Sequence, residues 1–199
     1  MANYAYVPLV APLTRPEIEA RAERLVQEYR PGLLSNPGPF PIAELLEFDL
    51  EKTCGVQFWV SDSLPSHVEG VTYPLGERGP AETFLSERVF DDMDRGAGRA
   101  RFTGAHEVGH AVLHVRQLQQ EMWHGTFGGL HRKAAVERER NPEWQANAYA
   151  AALLMPAPSV AIAYKQFGDV GRPALARTFG VSFDAMTYRL VDLRRMGKI

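Results

Sequence analysis

Residues 101–115 read RFTGAHEVGHAVLHV, and the histidine spacing in this stretch decides how the rest of the chain is organised. A helix turns about 100° per residue, so side chains four apart lie one above the other on the same face. His106 and His110 can therefore aim two imidazoles at one ion, with Glu107 beside them. This is the HExxH spacing. Zinc takes neutral imidazole ligands at about 2.0–2.1 Å, and a catalytic site keeps one position open for water. The ion lowers the pKa of that water from about 15.7 to about 7, so a neighbouring carboxylate can take its proton. The competing reading is two helix histidines followed by a surface glutamate.

A catalytic zinc site needs a third protein ligand. His114 lies one turn beyond His110, too far along the axis of the same straight helix, and reads as a helix-end or partly buried histidine. A third histidine after a glycine turn would need Gly at 113 and His at 116, where the chain has Leu113 and Arg116. Glu143 is the better candidate. Asn141 and Pro142 supply a helix cap and first turn, Glu143 opens the helix, and Asn147 follows one turn later on the same face. Glu143 can then bind metal while Asn147 orients a liganding imidazole from behind. Gly109, Ala111, Ala146 and Ala150 would let the two helices approach closely. The alternative for Glu143 is a first-turn carboxylate favoured by the helix dipole. The expected set is His106, His110 and Glu143 on the metal, Glu107 as catalytic base and Asn147 in support. Such a set suits Zn2+, although Mn2+ or Fe2+ can occupy it.

Bulk properties narrow the setting. The chain has 199 residues, 45% of them hydrophobic, which is enough for one domain with its own core. The expected division is an N-terminal arm and helix (1–40), a catalytic core (41–157) and a C-terminal helical subregion (158–199). A net charge of -2 carries no nucleic-acid or membrane signature. Cys54 is the sole cysteine, which excludes an intrachain disulfide and a Cys-based zinc cluster. No segment approaches the roughly 20 apolar residues of a membrane span, and the N-terminus lacks a signal-peptide pattern. The cytoplasm is the expected compartment, with no membrane partner.

Outward from the motif, the pattern predicts an α+β, mostly helical domain of the zincin type. Residues 1–13 read as an extended arm. Thr14, Pro16 and Glu17 start a helix with Ile18, Ala22, Leu25 and Tyr29 on one face, and Pro31-Gly32 ends it. A second helix is expected from Pro41 to Lys52. Strands are expected around Val56–Val60, His67–Tyr73 and Glu82–Val89, forming a small antiparallel three-stranded sheet before the HExxH helix. Residues 91–98 read as a polar loop, and the HExxH helix is expected from Arg101. Residues 118–140 lack a clear period and read as a long excursion. The Asn141 helix runs to Pro156, and residues 158–199 read as three short helices, the last two resembling a helix-turn-helix (HTH).

At this point the chain resembles the ImmA/IrrE family of metallopeptidases. The resemblance rests on Arg101-Phe102-Thr103 leading into HEVGH, on ExxANxYAAxLLMP at 143–156, and on Leu175–Ser182 followed by Tyr188-Arg189-Leu190. It covers roughly residues 40–195. It implies a gluzincin-type fold with His106, His110 and Glu143 as ligands and Glu107 as base. It also implies site-specific cleavage of a helix-turn-helix transcriptional repressor in a stress or mobile-element switch. Tyr149 stands where the family usually has Phe. Gly104 replaces a more usual apolar residue, which suggests a looser start to the active helix. The excursion at 118–140 is longer than is common.

Two other function classes compete. Residues 172–199 carry six Arg/Lys against two Asp and break at Gly180-Val181-Ser182, as a DNA-binding module could. However, Phe179, Val181, Met186, Leu190 and Leu193 suggest that these helices pack on the body. The other class is a catalytically silent, antitoxin-like protein that keeps the fold and the metal. Intact HEVGH and Glu143 argue against it.

Overall fold

The computed structural model describes residues 6–74, 79–132 and 135–199. Part of the N-terminal arm, residues 1–5, lies outside them. The described arm begins with strand β1 (Tyr6–Pro8) and leads to helix α1 (Arg15–Tyr29). The expected cap is present: the Glu17 carboxylate accepts from the Thr14 backbone N–H at 2.8 Å. Ile18, Ala22, Leu25 and Val26 are the buried face of α1.

The second helical run consists of α2 (Ile42–Glu44), a π-helical segment (Leu45–Asp49) and α3 (Leu50–Cys54). Gly55, at φ 71°, closes it in the left-handed region that glycine tolerates. Strands β2 (Val56–Ser61), β3 (Gly70–Tyr73) and β4 (Ala81–Ser86) follow. The sheet has the order β2-β4-β3, with β3 antiparallel to β4 but β2 parallel to it. The expected all-antiparallel sheet is therefore corrected to a mixed one. Alternation identifies which side chains face inward, as Ala81, Thr83 and Leu85 do on β4, but it carries no information on strand direction.

The strand expected at Glu82–Val89 ends at Ser86, whose hydroxyl accepts from the Val89 N–H and caps helix α4 (Glu87–Asp94). Part of the expected 91–98 loop is thus helix. The HExxH helix α5 (Gly98–Leu113) starts three residues earlier than expected. Helix α6 (Val115–Trp123) continues the chain into the excursion. Strand β5 (Leu130–Arg132) then pairs antiparallel with β1, placing Val7 opposite His131. This second small sheet holds the N-terminal arm against the segment between α6 and α7.

Helix α7 (Pro142–Leu154) is buried along nearly its whole length, and α1 and α5 both pack on it. Asn141 caps it, accepting from the N–H groups of Glu143 and Trp144. Helices α8 (Ala157–Phe167), α9 (Arg172–Phe179) and α10 (Phe183–Arg195) complete the chain. Phe179, Val181, Met186, Leu190 and Leu193 face the interior, so α9 and α10 dock on the body through the residues that the sequence singles out. No single described helix is long and apolar enough to cross a membrane.

A buried ion pair ties α1 to α10. Arg189 on α10 is 1% exposed. Its guanidinium grips the Glu19 carboxylate of α1 with both terminal nitrogens and donates through Nε to the Met155 carbonyl at 2.9 Å. Removing one partner of a buried pair leaves the other charge desolvated. Glu19→Ala should therefore lower unfolding free energy by about 3 kcal/mol. Urea denaturation would measure this, and a loss below about 1 kcal/mol would show that solvent reaches the guanidinium.

Candidate metal centre

Helices α5 and α7 cross closely enough to bring their polar side chains to one point. A Cβ added to Gly109 would lie 3.0 Å from the Ala146 backbone, so the crossing depends on glycine at that position. Across it, His106 Nε2 lies 3.0 Å from His110 Nε2. Glu143 Oε2 is 3.8 Å from His106 Nε2, and Glu143 Oε1 is 3.4 Å from His110 Nε2.

These three residues could hold a metal ion, with ligand atoms all within 4.8 Å of one another. The donor set fits zinc: a tetrahedral ion with bonds of about 2.0–2.1 Å places its ligand atoms about 3.3 Å apart. Two imidazole nitrogens facing each other across 3.0 Å are also suited to a shared cation. The Glu143 side chain is largely buried, and Asn141 holds its helix start.

Hydrogen bonds orient each imidazole from behind. Asn147 Oδ1 lies 3.2 Å from His106 Nδ1, so the structure brings the residue expected in support to the back of that ring. His114 closes the end of α5 and is 2% exposed. Its Nδ1 lies 3.1 Å from His110 Nδ1, and its Nε2 lies 3.0 Å from Gln145 Oε1. It thus lies at a helix end, as expected, but is fully buried and touches a member of the metal cluster. Burial, followed by the neighbouring His110, lowers both His106 and His114 to about 3.

Glu107 points toward the sheet. Thr72 on β3 donates from Oγ1 to Glu107 Oε2 at 2.8 Å, and Thr83 Oγ1 stands 3.0 Å behind Thr72. Burial raises the Glu107 carboxyl above its ordinary range. Gly70 leaves space for this side chain: an added Cβ would meet Glu107 Cγ at 2.9 Å and Leu85 Cδ2 at 2.7 Å. Sequence reasoning missed Thr72, Gly70 and Gln145. The polar Thr72 and Thr83, inward on strands beside a histidine motif, were the available signal. His67, His124, His131 and Tyr149, side chains of a type that could donate to an oxyanion, do not line the cleft. Tyr149 lies wholly in the core, and its hydroxyl has no hydrogen-bond partner among the described residues.

The cluster opens into a cleft of about 410 Å³. Beta strand β3 forms one wall, and Val7 and Pro8 of the arm form another. Leu118, Met122, Phe127 and Leu130, all from the excursion, make the remainder apolar.

Two outcomes follow from this geometry. Gly70→Ala must displace the Glu107 side chain, and a misplacement near 1 Å can cost about 100-fold in rate. If Glu107 serves as a base, a rate loss of that order with metal binding retained is expected, and an unimpaired rate would show that the space is not needed. The second outcome concerns acid. The folded His106 and His114 have pKa values below their unfolded value, so unfolding takes up protons as pH falls below about 6.5. The raised Glu107 acts in the opposite sense, one carboxyl against two imidazoles. The urea midpoint of metal-free protein should fall between pH 7 and pH 5, and a flat or rising midpoint would contradict the burial of neutral rings.

Comparison with known proteins adds a family. Residues 81–191 match a peptidase family described as the IrrE N-terminal-like domain. The radiation response metalloprotease IrrE of Deinococcus radiodurans is 34% identical over 135 residues, covering 65% of this chain and 39% of that protein. The protein of the same name from Deinococcus deserti is 28% identical over 170 residues, covering 80% of this chain and 58% of that protein. The chain thus spans only part of the length of these relatives. A transcriptional regulator of Mycobacterium tuberculosis shares the fold, with TM-score 0.58 and 19% identity over 91% of this chain and 48% of that one. The motifs on α5 and α7 both fall inside the matched region, and the chain belongs to the ImmA/IrrE family of metallopeptidases.

Proposed function

We propose that this chain is a zinc-dependent endopeptidase that cleaves a protein regulator of transcription, a helix-turn-helix repressor, at a limited site in the cytoplasm. The observation that carries this reading is the His106, His110 and Glu143 cluster at the floor of an open cleft, with Glu107 beside it. The metalloprotease names of the Deinococcus relatives and the regulator fold of the mycobacterial neighbour support it.

His106, His110 and Glu143 would hold the zinc, which would supply the positive charge to polarise a peptide carbonyl and acidify water. The remaining work belongs to the protein. Glu107 accepts a proton from the attacking water and delivers it to the departing amine nitrogen. Thr72 holds one oxygen of that carboxylate by its hydrogen bond, so the base keeps one orientation. Asn147 steadies the His106 ring. Strand β3 is at the edge of its sheet and lines the cleft, so an extended substrate segment can pair with its outer edge. The apolar excursion residues then receive alternate side chains of that segment.

Glu107→Gln preserves side-chain shape but removes the base. It should retain zinc while cleavage of a helix-turn-helix repressor substrate falls by about 10²–10⁴-fold. Glu143→Ala should instead lower zinc content. Unchanged turnover in the first variant, or full zinc occupancy in the second, would overturn the corresponding assignment.

A further inference from the structure

The geometry points to His114 and Gln145 as positioning residues that fix the tautomer of His110 and hold its Nε2 lone pair toward the metal. This rests on the proposed role of His110 as a ligand, and it can be followed atom by atom. The Gln145 amide nitrogen donates to two backbone carbonyls, Ala11 at 2.8 Å and Glu139. Both partners are acceptors, so the orientation of the amide is set, and its oxygen faces His114. That oxygen can only accept, so His114 Nε2 carries the ring proton. A neutral imidazole has one N–H. His114 Nδ1 therefore presents a lone pair, and it meets His110 Nδ1 at 3.1 Å. His110 must donate across that contact. Its single proton is then on Nδ1, and its Nε2 lone pair faces Glu143 and His106.

The relay differs from the support behind His106, where one Asn147 oxygen suffices. Behind His110 a second imidazole is interposed, and the chain of hydrogen bonds ends on the N-terminal arm. Ala11 is held there from two sides. Its N–H donates to Gln117 Oε1 at 2.9 Å, while its carbonyl accepts from Gln145. Neighbouring arm residues bond to the 3-10 turn before α7: the Val10 and Leu13 N–H groups donate to the Arg140 and Glu139 carbonyls. Seating of the arm and orientation of a metal ligand are thus one hydrogen-bonded arrangement. His114 is buried on the Nδ1 side of His110, away from the nitrogen that faces Glu143.

The decisive experiment combines zinc affinity with ring-nitrogen spectroscopy. Zinc affinity is measured by chelator competition for wild type, Gln145→Leu, His114→Phe and Glu143→Ala. Loss of an outer-shell partner typically weakens metal binding by about 10–100-fold, and that loss is expected for the first two variants. In parallel, 15N NMR of the histidine rings reads the tautomers in zinc-loaded wild type. His114 is expected protonated at Nε2 and His110 at Nδ1. In Gln145→Leu the His114 signature should no longer be confined to the Nε2–H form, an effect that general loosening of the fold would not single out. Wild-type His114 protonated at Nδ1 would overturn the relay, as would unweakened zinc binding in both Gln145→Leu and His114→Phe. If Gln145→Leu does not fold, the wild-type tautomers decide the question. Glu143→Ala separates the two readings. Zinc binding undiminished in that variant refutes the ligand set itself, whereas zinc lost there but retained in the other two refutes only the relay.

Discussion

The close crossing of α5 and α7 at Gly109 and Ala146 is the contact on which the rest of the structure depends. It brings two histidines from one helix within reach of a carboxylate from another. It also forces polar side chains into a helix otherwise made of alanine, leucine and aromatic residues. Buried polar groups are costly unless paired. Glu143, Gln145 and Asn147 occupy alternate positions along the first turns of α7, and each meets a histidine of α5. Around that pair the fold is largely a clamp. Helix α1 covers the other side of α7, the sheet covers Glu107, and the Arg189–Glu19 pair joins α10 to α1.

Much of this was legible in the sequence because it is local. Four-residue spacing sets a helix face, so His106 with His110 and Glu143 with Asn147 can be paired by counting. Cap chemistry likewise located the starts of α1 and α7. The contacts that escaped join segments far apart in the chain. Thr72 reaches Glu107 across a sheet–helix interface, Gln145 reaches back to Ala11, and β5 pairs with β1. None of these leaves a periodic trace. The parallel pairing of β2 with β4 escaped for a related reason, since an inward–outward pattern is the same whichever way a strand runs.

Two departures from the family pattern acquire physical meaning. Gly104, expected to loosen the start of the active helix, instead permits a tight contact: a Cβ there would meet Met93 Sδ at 2.9 Å and Leu46 Cδ1 at 3.1 Å. The site thus backs onto α4 and the π-helical segment with no room to spare. Tyr149 adds a hydroxyl to a core position where it finds no partner among the described residues. The ring fills space beneath Gly109, whose added Cβ would lie 3.3 Å from the Tyr149 Cβ.

The seating of the N-terminal arm sets the order in which a growing chain can acquire its parts. Ribosomes deliver residues 6–29 before their partners on β5, the 3-10 turn and α7, which come from residue 130 onward. Contacts of such sequence separation are slow to form. The nascent α5 therefore presents both imidazoles, with His114 directly behind them in the chain, while Glu143, Gln145 and Asn147 are still unmade. A chain in that condition lacks the Glu143 carboxylate and the two side-chain amides, Gln145 and Asn147, that set the histidine tautomers. Synthesis of α7 and docking of the waiting arm complete the centre together, so maturation of the candidate metal site is tied to a long-range step of folding rather than to the emergence of its best-known motif.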